Sequence, residues 1–136
     1  MNKVTSLTAG IYAYDGSTHS LQLLKEGKYE AELIRGTYLA DSIPESAFCI
    51  LMVANFNCSK FKYGERAYRF ILIEAGHIAQ NILLIVENLA HSAFPIGGYI
   101  DDELNELIEV DGINQAVVYG VIVGCRVNRS SAPVSL

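Results

Sequence analysis

Basic residues are scarce in this sequence of 136 residues: ten Lys and Arg stand against 15 Asp and Glu, for a net charge of −5. That balance argues against a nucleic-acid footprint, which would be basic, and against attraction to anionic membranes. Cysteine is sparse too. Cys49, Cys58 and Cys125 are odd in number and show no C-x-x-C spacing. The natural reading is reduced thiols in a cytosol, buried and inert. The opening stretch MNKVTSLTAG has no apolar run of the kind a secretory leader carries. No Gly-rich phosphate cradle of the G-x-G-x-x-G type is present, and no arginine precedes Arg35. The length suits one domain, and the chain reads as cytoplasmic.

Apolar residues, by contrast, make up 51% of the chain, a high share for a small domain that must leave much of its surface in water. They concentrate in one stretch. From Ala67 to Leu89 the spacing predicts a single helix of about 35 Å. Ile71, Ala75, Ile78, Ile82, Ile85 and Leu89 form one stripe of it, and Phe70, Ala79, Leu83, Leu84 and Val86 widen that stripe around most of the circumference. A helix apolar on nearly every side has to be surrounded, and in so short a chain a second polypeptide is the expected cover. Within it the longest unbroken apolar run is Ile82 to Val86, and Glu74, His77 and Glu87 interrupt it, so a membrane span is not expected.

The flanking elements follow in order. Gly10 to Asp15 alternates as a strand, Asp15-Gly16 signals a turn, and Ser20 to Lys25 is the return strand of a hairpin. Tyr29 to Leu39 has helical spacing weakened by Gly36. Ala47 to Phe56 is continuously apolar and predicts a strand buried on both faces, and Ala116 to Val123 predicts a second. Asp101 to Ile108 opens with three acids, the favourable charge for a helix N-terminus. Asn57 to Arg69 reads by itself as a solvated basic turn.

Glu74-x-x-His77 has the spacing of a di-iron ligand pair, but the second Glu-x-x-His such a centre needs is missing. No metal is expected. Glu74, His77, Asn81 and Asn88 share a polar stripe better suited to hydrogen bonding with neighbouring backbone or across a seam between two copies.

Several of these segments, in this order, resemble the nitroreductase superfamily, and most closely its SagB-type branch of FMN-dependent azoline dehydrogenases. The basic-aromatic lead-in KYGERAYR, the helix with EAGHIAQN, the exit to PIGG, the acidic helix DDELNEL and the strand ending at Gly124 carry the likeness, from about Gly10 to Gly124. The resemblance implies an α+β nitroreductase-like fold, three to five strands of an antiparallel or mixed sheet around the central helix. One domain would fill residues 1–136, with an extended tail from residue 125. It further implies FMN as cofactor and the central helix as the contact of a homodimer or hetero-oligomer.

For the site, the resemblance carries Lys62 and Tyr63 over as the base pair: Lys62 would take the ring Cα proton with Tyr63 assisting, hydride would pass to FMN, and oxygen would reoxidise it. Neighbouring cations and partial burial both favour a neutral amine, the form such a base needs. Ile96, Gly97 and Gly98 would lie against the flavin ring, with a backbone N–H at its N5, and Arg126 and Arg129 would hold the phosphate through their forked donors. Family members are longer at the N-terminus. Their phosphate-gripping N-terminal helix and the Ser/Ala-Gly-aromatic-Pro segment that touches the ring are not visible here. The expectation is therefore the C-terminal portion of the fold, half of a flavin site completed by a partner chain. The substrate would be an azoline ring of a modified peptide or a related small oxidisable molecule. The alternative from another class is a flavin-free interaction subunit of a biosynthetic complex.

Overall fold

A computed structural model describes residues 4–125. Strands β1 (Gly10–Asp15) and β2 (Ser20–Glu26) form the expected hairpin, followed by α1 (Glu30–Thr37) and β3 (Ser46–Asn55). Next come α2 (Phe56–Tyr63), one 3₁₀ turn (Gly64–Arg66) and α3 (Ala67–Asn88), then β4 (His91–Ile96), α4 (Asp101–Leu107) and β5 (Gln115–Cys125). Every strand pair is antiparallel: β1 with β2 in one small sheet, and β3-β5-β4 in another. The fold is α+β, as expected. Residues 126–136, and with them Arg126, Arg129 and the expected extended tail, lie outside the described residues.

The three-stranded sheet is packed on both faces, which is why β3 and β5 read as continuous apolar runs rather than alternating ones. On one face Val121 and Val123 of β5 meet Ala79 and Val86 of α3, with Met52, Ala93, Ile82, Leu83 and Tyr119 packed around them. On the other, Ile122 and Val117 meet Leu33 of α1, Leu104 and Leu107 of α4, Ile43 and Ile96. Val117 joins the face of the even-numbered Ile122 because the register slips between Met52 and Val53, where Tyr119 pairs with Met52 but Val117 with Val53. One extra residue in β5 inverts the alternation.

The central strand is β5. The first predicted buried strand, β3, is an edge, and most of it is only half-buried because it pairs on one side alone. Two elements were not foreseen. Phe56–Tyr63 is helical rather than a turn, although it buries no residue. His91–Ile96 is a strand, formed because the chain leaves α3 through Ala90 in the left-handed region (φ 58) and returns along β5.

α1 and α4 meet closely. A Cβ placed on Gly36 would fall 2.7 Å from Leu104 Cδ2, so the residue that weakens α1 as a helix is the one that lets α4 approach. Arg35 Nε donates to Glu103 Oε2 at 2.8 Å across the same seam. The hairpin, marginal by itself, is tied to the body by Ile11 and Tyr29 in the core and by Lys25. The Lys25 ammonium donates to Leu107 O at 3.2 Å and pairs with Glu109 at 2.6 Å.

The expectation that the long helix is wrapped meets a divided outcome. α3 buries Ala67, Ala75, Ala79 and Val86, the last two against β5, while Ile73, Ile78, Leu84, Ile85 and Leu89 at its C-cap stay 45–61% exposed. The continuous stretch Phe56–Asn88 is, by length and composition, apolar enough to cross a membrane. One such stretch does not suggest a membrane protein, because a core helix passes the same test, and the sheet packed along one side of α3 accounts for part of its apolar character. The inert-thiol reading needs correction. Only Cys49 is half-buried, with burial pushing its thiol up to about 12, while Cys58 and Cys125 are exposed.

Candidate functional site at the end of the central helix

α3 and β4 run as a helix–strand hairpin, so the end of β4 returns toward the start of α3. That topology carries the two candidate groups to one end of the molecule. A cleft of about 490 Å³ lies there. Lys60, Gly64, Glu65, Tyr68 and Leu72 line one side, and Tyr99, Asp101 and Val117 line the other. Lys62-Tyr63 falls in the chain between Lys60 and Gly64 of the first wall, and Gly97-Gly98 immediately precedes Tyr99 of the second, but none of the four lines the cleft itself. Phe56 and Tyr68 stack at 6.0 Å between ring centroids, giving the cleft an aromatic wall.

Ile96 closes β4 opposite Gly120 and is buried. Gly97 and Gly98 leave the sheet exposed. A Cβ at Gly97 would touch Tyr119 Cε2 at 3.4 Å, and at Gly98 it would meet nothing within 4 Å. Among the described residues the Gly98 N–H makes no backbone hydrogen bond. An unshielded backbone donor with no side chain above it suits a flat ligand that offers a hydrogen-bond acceptor. In that respect the segment fits the isoalloxazine of a flavin.

Lys62 and Tyr63 end α2 and are both exposed. The Lys62 ammonium lies 5.1 Å from the Tyr63 ring centroid, and that ring meets Phe70 edge-on at 5.2 Å. The partial burial expected of Lys62 is absent among the described residues. Any cover for it comes from outside the described residues.

Tyr99 went unnoticed in the sequence. Its hydroxyl donates to Val117 O at 3.0 Å. Burial, reinforced by the Asp101 and Tyr68 side chains, raises its pKa, so the phenol stays a donor through neutral pH. Asn105, 6% exposed, accepts the Val117 N–H through Oδ1 at 2.9 Å. The signal that would have found Tyr99 is an aromatic directly after Gly-Gly at a strand end.

The polar stripe Glu74, His77, Asn81 and Asn88 is exposed, and no hydrogen bond or ion pair joins these side chains among the described residues. No group of three or more His, Cys, Asp and Glu side chains suited to a metal ion occurs among the described residues. A second hollow, about 580 Å³, is lined by Asn55, Asn57, Cys58, Asp111 and Asn114 among others. Asp111 spends both its carboxylate oxygens on its own loop, accepting from the N–H groups of Ile113, Asn114 and Gln115 and from the Asn114 amide.

Known proteins share this architecture. A protein of Methanocaldococcus jannaschii named as a nitroreductase is 25% identical over 107 residues, covering 79% of this chain and 54% of its own length. The crystal structure of a nitroreductase-type protein from Anabaena variabilis superposes with a TM-score of 0.82 at 26% identity, over 90% of this chain and 25% of the other. A chain of the Escherichia coli microcin synthetase McbBCD complex, solved with truncated pro-MccB17 bound, gives 0.76 at 24% identity, over 86% and 44%. A Staphylococcus epidermidis protein described as an NAD(P)H:FMN oxidoreductase shares the fold, with a TM-score of 0.62 at 10% identity over 93% and 70%. The chain thus spans about half the length of the curated relative it matches. The model of the nitroreductase family matches residues 7–125, the whole of the fold described above, and the chain belongs to that family.

Proposed function

We propose that this chain is an FMN-dependent oxidoreductase of the SagB type, acting on azoline rings of a modified peptide or a related small oxidisable substrate, as one half of a split or dimeric enzyme. The observation that carries the reading is the bare Gly97-Gly98 backbone, which leads directly into Tyr99 on the wall of the aromatic-lined cleft, while Lys62-Tyr63 falls in the chain between Lys60 and Gly64 of the same lining. The likeness to a chain of a peptide-bound synthetase supports the substrate class.

FMN, when bound, supplies the hydride acceptor. The backbone of Ile96, Gly97 and Gly98 offers it a flat, unshielded edge, and Arg126 and Arg129 are assigned to its phosphate. Lys62 takes the proton from the ring Cα of the substrate, and Tyr63 holds or relays it. Because Lys62 stands in solvent here, a second chain closing over α2 is needed to dry the site, and water exclusion strengthens every electrostatic contact within it. The exposed apolar side of α3 is the surface through which that chain, a second copy or a separate partner, binds.

The same exposed side favours a second reading, a flavin-free interaction subunit that lends α3 to a biosynthetic complex. The two separate by colour. The enzyme reading expects purified protein, alone or co-expressed with its partner, to carry flavin absorbance that Gly98→Leu and Arg126→Ala each abolish. A colourless oligomer under both conditions would reject it and favour the scaffold.

A further inference from the structure

Carried past its last rung, the β4–β5 register would set Gly97 opposite Tyr119, Gly98 opposite Val118 and Tyr99 opposite Val117. The ladder stops at Ile96, yet Tyr99 still reaches its would-be partner through its side chain: the hydroxyl donates to Val117 O at 3.0 Å. The other backbone group of Val117, its N–H, is taken by Asn105 Oδ1 at 2.9 Å. One residue further on, the Ile100 N–H donates to Gly36 O at 2.8 Å. Gly97 and Gly98 are thus pinned at one end by the Ile96 rung and at the other by Tyr99 and Ile100. A phenol ring now spans the gap where direct strand pairing would have closed it, so the two glycines bow away from β5.

We propose that Tyr99 is a positioning residue for the flavin edge, holding the Gly97-Gly98 bow at a fixed distance from β5, with Asn105 completing the clamp on Val117. The proposal rests on the flavin reading above. Its physical basis is that two successive glycines have the widest backbone freedom of any pair. A donor must be held to within about 0.5 Å to serve a fixed acceptor. Sequence gives this bow no stiffness of its own. The clamp supplies it from outside.

Tyr99→Phe tests this, since it deletes one oxygen and keeps the ring in the core; Asn105→Ser releases the other half of the clamp as an independent variant. In flavin-free protein, ¹⁵N relaxation should show the order parameters of Gly97 and Gly98 falling from about 0.85 to below about 0.6 in Tyr99→Phe, with other strands unchanged. In titrations with FMN the same variant should bind about tenfold more weakly and shift the flavin's visible bands, a signature that a merely destabilised fold would not give. Unchanged order parameters would overturn the clamp. Looser glycines with unaltered FMN affinity and spectrum would overturn its role toward the flavin. Wild-type protein and its co-expressed complex that take up no FMN would instead sink the flavin reading, and the order parameters would still decide the clamp.

Discussion

Asn105 is the most consequential polar side chain in the interior. Replacing it with Ala leaves the buried Val117 N–H without a partner, which costs about 1–3 kcal/mol; urea denaturation of Asn105→Ala should show a loss of that size. Gly36 is comparably constrained. Its added methyl in Gly36→Ala would press on Leu104, which is fully buried, at 2.7 Å. Overpacking of that kind costs about 1–3 kcal/mol, against the gain expected from improving a helix. Stability should fall, and a rise would show that α4 can yield.

Asp111 gives the acid response. Three backbone N–H groups, that of Gln115 foremost, and the Asn114 amide hold its carboxyl well below the usual carboxylate range. A depressed folded value means that its contribution is complete above the ordinary carboxylate value, near ~3.9, and is lost as pH falls below that toward the folded value. The amide resonances of Ile113, Asn114 and Gln115 should therefore hold steady to pH 4 and move only in stronger acid, and Asp111→Asn should abolish the movement. A midpoint at the ordinary value would contradict the loop geometry. Asp15, lowered to about 2 by the Ser17 and Thr18 hydroxyls, should follow the same sign in the hairpin turn.

At the scale of elements, the two sides of α3 differ in packing. On the sheet side Ala79, 2% exposed, sits closest-packed beside Val86, Ile82 and Leu83. Ala79→Leu would lift the helix and cost about 1–3 kcal/mol, whereas Leu84→Ala on the open side should change monomer stability by no more than about 0.5 kcal/mol. Denaturant titration of the two variants checks this directly.

Much of the element order was legible because its signals are local. The 3.6-residue apolar period set α3, Asp15-Gly16 set the hairpin, and three successive acids set the start of α4. What was missed depends on partners distant in sequence. β4 reads as an exit loop because Pro95 and two glycines sit in or beside it, and only pairing with β5 makes it a strand. α2 has almost no apolar periodicity to announce it, and it is set off from α3 by Gly64 in the left-handed region (φ 56) and one 3₁₀ turn, so that Phe56 reaches Tyr68. Which buried strand is central is a property of pairing, so β3 and β5 looked alike. At the site, Lys62-Tyr63 and Gly97-Gly98 were visible as types, but that their chain neighbours Lys60, Gly64 and Tyr99 line one cleft follows only from the way α3 and β4 fold back on each other. For Tyr99 the sequence offers only an aromatic after Gly-Gly, because its role is a bond to Val117, 18 residues away.

For the whole molecule, the decisive fact is that one long apolar surface is satisfied on a single side. Among the described residues Ile73, Ile78, Leu84, Ile85 and Leu89 expose 45–61% of their surface along one helix, and a contiguous exposed apolar patch marks an interaction surface. The catalytic reading needs the same thing, because Lys62 has to be covered to act as a base. Interface and chemistry are therefore one claim. Sedimentation velocity of the purified full chain, alone and co-expressed with its partner, followed at both the protein and flavin absorbance bands, tests it most directly. The account predicts a species of two or more chains whose boundary carries flavin absorbance, reverting to colourless single copies when Leu84 and Ile85 are both changed to Glu. A wild-type protein that sediments as a colourless single copy under both conditions would contradict it.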